Sequence, residues 1–252
     1  MLEVFLLSII QGVTEFIPIS SSSHLIIFSE FINFKDRSLE IDVSLHIGSF
    51  IAVISYFHKD MVNFIKNRYL FLKIIISSIP VMLIGFILVQ TSLIDQLRSI
   101  KIIGWTTLIF GILLYISDNY QLKKNIDKNF NYKTAIFIGL FQVLSLVPGV
   151  SRSGISITAA RLLSFKRVDA AKISFLLSIP TLGAVSLFGV INLVETTDSF
   201  FSMLNFISIF FSFIFSYITI VYFLKYIKNF NLNIFVFYRI ILGTTLLCVA
   251  YL

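Results

Sequence analysis

Six apolar stretches in this chain are each long enough to cross a lipid bilayer, and they constrain the fold more than any other feature. The stretches lie at about 41–58, 69–90, 99–117, 171–194, 200–224 and 234–252. Only 13% of the 252 residues are charged, whereas soluble domains carry about 25% charged residues. Because backbone groups in lipid must bond within the chain, such stretches form helices. The sequence therefore predicts an all-α integral membrane protein with six transmembrane helices.

Two further apolar stretches are interrupted near the middle by proline and a cluster of serines. Residues 2–28 contain the break FIPISSSSH, and residues 134–163 contain the break LVPGVSRSG. The apolar arm before each break is too short to cross, and broken segments are tolerated in membranes only inside protein or along a polar cavity. We therefore predict two re-entrant helix-turn-helix hairpins, each of which enters and leaves on one side of the membrane.

The distribution of basic residues among the loops tests this topology. If both hairpins are re-entrant, one side of the membrane carries 12 basic loop residues. The other side carries 4, which are Lys35, Arg37, Arg98 and Lys101. If residues 134–163 crossed instead, the two sides would carry 7 and 9, which is no bias. Because basic loops stay in the cytoplasm, the charges favour the re-entrant interpretation, with both termini outside.

The order of the segments predicts one membrane domain built from two repeats. Each repeat is a broken hairpin followed by three spans, at about 1–117 and 134–252, and a polar cytoplasmic linker at 118–133 joins them. Three crossings are an odd number, so the repeats are inverted, and a polar site is expected at the midplane where the two hairpins meet. The similar segments SSIPVMLIG and LSIPTLGAV are taken as a second trace of the repeat.

The first hairpin carries an acidic residue that is costly to place in a membrane. Gln11 and Glu15 are four residues apart, so a helix brings them to one face. Two oxygen donors suit a hard divalent cation such as Mg²⁺ or Ca²⁺, which also takes phosphate oxygens and water. The alternative is that Glu15 caps a turn or pairs with a base. We favour the functional interpretation, because ionisable groups within membranes are functional by default.

The second break has the features of an anion site. Pro148 and Gly149 end one helix, and the next begins near Ser151 with unpaired N–H groups and a positive dipole end. Arg152 adds a planar donor fork that matches phosphate oxygens. Further hydroxyls come from Ser153 and Ser156. The alternative is that Ser151 is an ordinary cap and Arg152 neutralises Glu15, and the two interpretations are compatible.

Together the two breaks resemble the motifs of undecaprenyl-diphosphate phosphatases of the bacitracin-resistance type. The first family motif stands here as Gln11, Glu15, Phe16, Pro18, Ser20, Ser21 and His24. The second stands as Pro148, Gly149, Ser151, Arg152 and Ser153, followed by Ser156 where the family usually has threonine. The similarity extends along the whole chain, and Ser156 keeps the hydroxyl of the residue it replaces.

The resemblance implies an activity and a location. The expected reaction is hydrolysis of undecaprenyl diphosphate to undecaprenyl phosphate and inorganic phosphate, which recycles the lipid carrier of cell-wall synthesis. A divalent cation, Mg²⁺ or Ca²⁺, is the expected cofactor. The site is expected to face outside in the bacterial plasma (inner) membrane.

The resemblance also implies roles for individual residues. Glu15 and Gln11 would bind the metal or organise the diphosphate. The phosphate would be bound by Arg152, Ser20, Ser151, Ser153 and Ser156. His24 and Ser21 are candidates for the nucleophile or the acid/base group, and attack by metal-activated water is a third alternative. We favour His24, with Ser21 supporting, because an imidazole transfers protons near neutral pH and an unassisted serine is a weak nucleophile. Apart from the resemblance, His46 and His58 are not site candidates: His46 lies in a span and is interpreted as structural, and His58 lies at a membrane edge beside Lys59.

Other functions and partners remain as alternatives. Inverted repeats with polar hairpins also occur in transporters and flippases, so a carrier of phosphate or of a polyprenyl phosphate is the second hypothesis. The net charge of +7 is attributed to the loop bias, so nucleic acid is not an expected partner. The expected partners are the lipid substrate and membrane lipids, and the chain is expected to act as a monomer or homodimer.

Overall fold

The computed structural model describes residues 1–31, 39–66, 68–91, 93–196 and 202–252. Within these ranges the chain is helical, apart from turns and one isolated bridge between Lys124 and Phe165. Lys35, Arg37 and the first two residues of the predicted span 200–224 lie outside the described residues. The all-α prediction is confirmed for the described part of the chain.

The described residues form long helices, shorter helices that include the hairpin arms, and two single-turn helices. In chain order they are α1 Leu2–Thr14, α2 Ser21–Phe31, α3 Leu39–Tyr56, α4 His58–Lys66, α5 Arg68–Gln90, α6 Leu93–Gln96, α7 Ile100–Asp118, α8 Ile126–Asn129, α9 Tyr132–Val143, α10 Arg152–Leu162, α11 Arg167–Thr196, α12 Met203–Asn229 and α13 Asn233–Tyr251. A single 3₁₀ turn, Leu144–Leu146, follows α9.

Six of the described helices are long and apolar enough to cross a membrane, and they are α3, α5, α7, α11, α12 and α13. They coincide with the six predicted spans, so the protein is a multi-pass membrane protein. The main differences are at the ends: α11 already begins at Arg167, and α12 continues to Asn229. The added turns are the polar ends of helices whose apolar centres the sequence identifies.

The two broken stretches each form a helix, a turn and a second helix, as predicted. The first is α1 and α2, and the second is α9 and α10. At 13 residues, α1 is about 20 Å long at 1.5 Å per residue, which is less than the hydrocarbon core of about 30 Å. That both hairpins are re-entrant stays a prediction supported by this length.

Helices of each half of the chain pack on helices of the other half. The first arm of hairpin one, α1, packs on α12, and the first arm of hairpin two, α9, packs on α5. In addition, α3 contacts α11 and α7 contacts α13. Two halves related by a two-fold axis would show this packing, because the second span of each half then supports the hairpin of the other. The repeat boundaries themselves stay a prediction.

Two glycines allow the first arm of each hairpin to pack closely on a span of the other half. A Cβ on Gly12 of α1 would lie 2.8 Å from the backbone nitrogen of Ser216 in α12. A Cβ on Gly139 of α9 would similarly overlap the backbone of Ser77 in α5. At both positions the helix backbones approach more closely than any side chain allows. Each hairpin is thereby anchored directly on a span of the other half.

The two SSIP and LSIP segments are not equivalent positions of a repeat. Pro80 lies in α5, the second span of the first half, whereas Pro180 lies in α11, the first span of the second half. The interpretation of these segments as a repeat is therefore wrong. The two helices pack against each other instead. Each proline lacks the N–H that would complete the helix ladder, and residues just after both prolines line the same cavity.

Candidate functional site

The turn of each hairpin ends at a serine with left-handed backbone geometry. Ser20 has a φ of 76° and Ser151 a φ of 72°. This conformation is costly for a residue with a Cβ and persists where the surroundings enforce it. Each serine directly precedes the second arm of its hairpin, α2 or α10. The two turns are also bonded to each other, since Ser20 Oγ accepts from the N–H of Gly149 at 3.3 Å.

A cavity of about 200 Å³ lies where the two turns meet. Its polar side is formed by Glu15, Ser20, Ser21, Ser22, His46, Ser145, Ser151 and Arg152. Its other side is formed by Val81 of α5, Leu146, and Thr181, Leu182 and Val185 of α11. The cavity therefore combines a charged, hydroxyl-rich polar face with mainly apolar lining residues. Val185 is 48% exposed, so the apolar face reaches the outer surface of the protein.

Two helix N-termini meet at the polar face. The helix α2 begins at Ser21 and α10 begins at Arg152, and both residues line the cavity. N–H groups in the first turn of a helix have no partner within that helix, and they carry the positive end of its dipole. Two such ends beside a guanidinium favour an anion with several oxygens. The N-terminus of α2, at the first break, therefore adds N–H groups to the anion site predicted at the second break.

Glu15 is the centre of the hydrogen bonds at the polar face. Its Oε1 is 2.9 Å from a guanidinium nitrogen of Arg152. Its Oε2 accepts from the Ser21 hydroxyl at 2.6 Å and from Gln11 Nε2 at 3.1 Å. The carboxylate is only 6% exposed, so its charge is stabilised by these partners rather than by water. The sequence predicted that Gln11, Glu15 and Arg152 lie together, and the structure brings them together with Ser21.

Arg152 is held at the cavity by contacts on both sides. One guanidinium nitrogen donates to the carbonyl oxygen of Ser174 at 3.1 Å, and the group lies 5.9 Å from the centre of the Phe16 ring. Its side chain is 13% exposed. The guanidinium is therefore buried enough to be strongly attractive to anions and open enough to reach one in the cavity.

His24 occupies a different position from the one we expected. Its Nδ1 donates to the carbonyl oxygen of Ser20 at 2.6 Å, and its Nε2 lies 2.5 Å from the hydroxyl of Tyr238. The two rings are also stacked, with centres 5.6 Å apart. With Nδ1 donating, the Nε2 of a neutral ring accepts from the tyrosine, so neither nitrogen is available for attack. His24 does not line the cavity, and the Ser21 hydroxyl bonds to Glu15 rather than to the imidazole.

His46, interpreted from the sequence as structural, lies on the cavity wall instead. Its Nδ1 is 3.1 Å from Gln11 Nε2. A histidine within an apolar span is itself a signal of function, which the sequence interpretation did not use, and the packing of α1 on α3 brings it to Gln11. His58 is exposed and bonds to the carbonyl oxygen of Ser55, which agrees with a structural role.

The remaining predicted phosphate ligands divide into two groups. Ser20 and Ser151 line the cavity. Ser153 and Ser156 do not line it, because their hydroxyls are used in packing: Ser153 Oγ donates to the carbonyl oxygen of Ile17 at 2.9 Å, and Ser156 Oγ to Oε1 of Gln142 at 3.2 Å. The geometry therefore gives no support to a phosphate contact from these two residues.

The donor set at Gln11 and Glu15 fits a divalent cation that arrives with a phosphorylated ligand. The Oε1 atom of Gln11 is buried and has no hydrogen-bond partner, while Nε2 of the same amide donates to Glu15 Oε2. Gln11 itself does not line the cavity. Among the described residues there is no group of three or more histidine, cysteine, aspartate or glutamate side chains that could hold a metal by themselves. A hard cation held here would take its other ligands from phosphate oxygens and water.

One residue behind the turns was missed by the sequence analysis. Arg239 of α13 is fully buried and bonds to backbone carbonyls of both hairpin turns. The sequence shows it only as one arginine within an apolar span. An intramembrane arginine is itself a signal of function, and that signal could have identified it.

Comparison with known proteins agrees with the two motifs. A family model described as "Bacitracin resistance protein BacA" matches residues 4–245. An undecaprenyl-diphosphatase of Pelagibacter ubique is 47% identical over 251 residues, which covers 99% of this chain and 98% of that protein. Proteins of the same name from Jannaschia and Saccharophagus degradans are each 38% identical, over 98% and 99% of this chain and 98% of their own.

Proposed function

The chain belongs to the family of the bacitracin resistance protein BacA, and we propose that, as its relatives' name states, it hydrolyses undecaprenyl diphosphate. The products are undecaprenyl phosphate and inorganic phosphate, which returns the lipid carrier to cell-wall synthesis. One observation carries the assignment to this cavity: a serine hydroxyl, a carboxylate and a guanidinium are hydrogen-bonded in series where two helix N-termini meet.

The two faces of the cavity match the two parts of this substrate. The diphosphate would lie between the first turns of α2 and α10, where N–H groups and Arg152 neutralise its charge. The first isoprene units would lie against Val81, Leu182 and Val185, which lead to the lipid-facing surface. Binding would draw the Arg152 fork from Glu15 towards phosphate oxygens. The Oε1 atom of Glu15 that Arg152 leaves would then be free for a divalent cation, while Oε2 would stay bonded to the Ser21 hydroxyl.

Ser21 is the nucleophile that this geometry favours, in place of His24. Its Oγ would attack the terminal phosphorus while Glu15 takes the hydroxyl proton. The bond between that phosphorus and the bridging oxygen would break, and undecaprenyl phosphate would leave with the proton from Glu15. Water, deprotonated by Glu15, would then attack the phosphoserine and release inorganic phosphate, and the proton would return to Ser21. His24 would position the turn by holding the Ser20 carbonyl.

Glu15 and Gln11 would also hold the divalent cation, Mg²⁺ or Ca²⁺, that enters with the diphosphate. When bound, such a cation would offset the negative charge of the phosphate oxygens. This lowers the barrier to attack on phosphorus by the nucleophile. The unsatisfied Oε1 of Gln11 supports this assignment.

The orientation of the site follows from the loop charges. With the linker at 118–133 in the cytoplasm, the first hairpin dips into the bacterial inner membrane from outside, and both termini lie outside. The nucleophile and its base are both on that hairpin. The lipid product would therefore be formed on the outer side of the membrane.

Acid-quench trapping tests the reaction and the nucleophile together. Purified protein in detergent is mixed with polyprenyl diphosphate that carries ³²P in the terminal phosphate. We expect phosphate release and a transient acid-stable phosphoprotein, absent in Ser21→Ala. An adduct that is seen only after a parallel alkaline quench, and is lost on acidification, would assign the attack to His24. Turnover with no adduct in either quench would assign it to water. Binding without phosphate release would contradict hydrolysis and favour a carrier.

A further inference from the structure

Arg239 is the seventh of the 19 residues of the transmembrane helix α13, and its side chain is completely buried. A charge in this environment loses its hydration, which is costly unless partners replace it. Among the residues that the structure describes, no carboxylate pairs with it. Burial of an arginine here therefore needs a reason other than a salt bridge.

The partners of Arg239 are backbone carbonyls from three separate segments. One terminal nitrogen donates to the carbonyl oxygens of Pro18 at 3.2 Å and Val150 at 3.1 Å. The other donates to that of Gly149 at 2.8 Å. Its Nε donates to the carbonyl oxygen of Thr107, in α7, at 3.2 Å. Helices end at both breaks, so these turn carbonyls have no helical partner and need a donor.

The same guanidinium thus holds both hairpin turns immediately before their reactive residues. Pro18 is three residues before Ser21, and Val150 is two residues before Arg152. The carbonyls of Pro18 and Val150 are bonded to one nitrogen atom, so Arg239 links the two turns in addition to the direct bonds from Gly149 to Ser20 and from Ser153 to Ile17. Two glycines make space for the side chain: a Cβ on Gly111 would lie 3.0 Å from the Cβ of Arg239, and one on Gly154 would lie 3.0 Å from its terminal nitrogen.

We propose that Arg239 is a positioning residue for catalysis, which sets the distance between the Ser21–Glu15 pair on one hairpin and Arg152 on the other. This inference rests on the proposed function. Its physical basis is that the planar fork of arginine bonds several acceptors in one fixed geometry, whereas lysine offers a point charge on a flexible stem. A lysine would keep the charge but would not hold both turns in register. Misplacement of reacting groups by as little as about 1 Å costs about a hundredfold in rate.

The first test is the steady-state kinetics of Arg239→Lys. We expect kcat to fall at least about tenfold, with KM changed less than about threefold, because the misplaced groups act in the transition state. The melting temperature in detergent is measured in parallel. Wild-type kcat in folded Arg239→Lys would overturn the proposal.

A pair of glycine variants keeps the proposal testable if Arg239→Lys fails to fold. Gly111→Ala presses on Arg239, whereas Gly104→Ala, on the same face of α7 two turns earlier, presses on Leu247 at 2.9 Å. We expect Gly111→Ala to lower kcat several-fold and Gly104→Ala to leave it unchanged. Equal values of kcat in the two variants would show that only helix packing is involved and would overturn the proposal.

A thiol-labelling measurement tests the positioning role of Arg239 with a readout that does not depend on enzymatic activity. In a Cys248→Ser background, a cysteine replaces Ser22, which is exposed beside the first turn. We expect its rate of reaction with a maleimide to change in Gly111→Ala but not in Gly104→Ala. An unchanged rate in both would contradict the positioning role. A wild-type protein that releases no phosphate would instead contradict the proposed function, so the two failures are distinguishable.

Discussion

The Ser21 hydroxyl donates to Glu15 Oε2 at 2.6 Å, across the turn that separates the two arms of the first hairpin. The carboxylate is thus bonded to the group it would deprotonate. Its other oxygen is bonded to Arg152 of the second hairpin, so one residue joins the proposed nucleophile to the proposed phosphate ligand.

Removal of the Ser21 hydroxyl should abolish turnover. We expect Ser21→Ala to lower kcat by more than about 10³-fold, as loss of a nucleophile does in other hydrolases. Ser29→Ala is a matched control on the same helix, where the hydroxyl bonds to the Leu25 carbonyl, and it should keep wild-type kcat. Phosphate release from the purified proteins measures both. Substantial turnover in Ser21→Ala would indicate that His24 or water, rather than Ser21, attacks the phosphorus.

Phosphate release should require a divalent cation, and this requirement should depend on Gln11 and Glu15 of the first hairpin. EDTA should abolish phosphate release, and Mg²⁺ or Ca²⁺ should restore it. Glu15→Gln should cost far more activity than Gln11→Glu, because the latter keeps an oxygen ligand and the former removes both the charge and the base. Full activity in the presence of chelator would refute the cation role.

Arg152→Lys separates a phosphate clamp from a simple counter-ion of Glu15. Lysine retains the charge but lacks the bidentate fork. We therefore expect kcat/KM to fall at least about tenfold, which is about 1.4 kcal/mol, with normal expression and melting temperature. Arg68→Lys, at an exposed position, is the control. Near-wild-type turnover in Arg152→Lys would make Arg152 part of the scaffold.

Asp118 should matter for stability rather than for turnover. Its buried carboxylate is 2.7 Å from Arg167 and 3.4 Å from Arg161, and it accepts from the N–H of Leu232 at 3.0 Å. Loss of one partner of a buried ion pair costs about 3 kcal/mol or more. Asp118→Asn should therefore lower the melting temperature clearly, and the protein that remains folded should keep wild-type kcat. The exposed Asp127, changed to Asn, should show no effect on either.

The topology prediction can be tested by cysteine labelling in a Cys248→Ser background. Gln121 is exposed in the linker, which we expect in the cytoplasm. A cysteine there should react with an impermeant maleimide only after lysis, whereas one at Leu252 should react in intact cells. Labelling at Gln121 in intact cells would reverse the orientation inferred from the loop charges.

The six spans and the positions of both turns can be predicted from the amino-acid sequence. In lipid the chain must satisfy its backbone groups locally, so hydrophobic length alone predicts helices. Pro18 and Pro148 interrupt the helix ladder wherever the rest of the chain lies. The cluster of Gln11, Glu15 and Arg152 also follows from local patterns once the two hairpins are expected to meet.

Which side chains share the cavity depends on how the helices pack, and local sequence patterns do not contain this information. His24 and Ser21 are one helical turn apart, yet the packing of α2 near α13 turns the imidazole to Tyr238 and leaves the hydroxyl to Glu15. His46 and Arg239 reach the site from distant helices, to Gln11 and to the two turns. Sequence spacing defines neighbours within a helix, but the direction in which a helix presents its faces is set by the helices that pack against it.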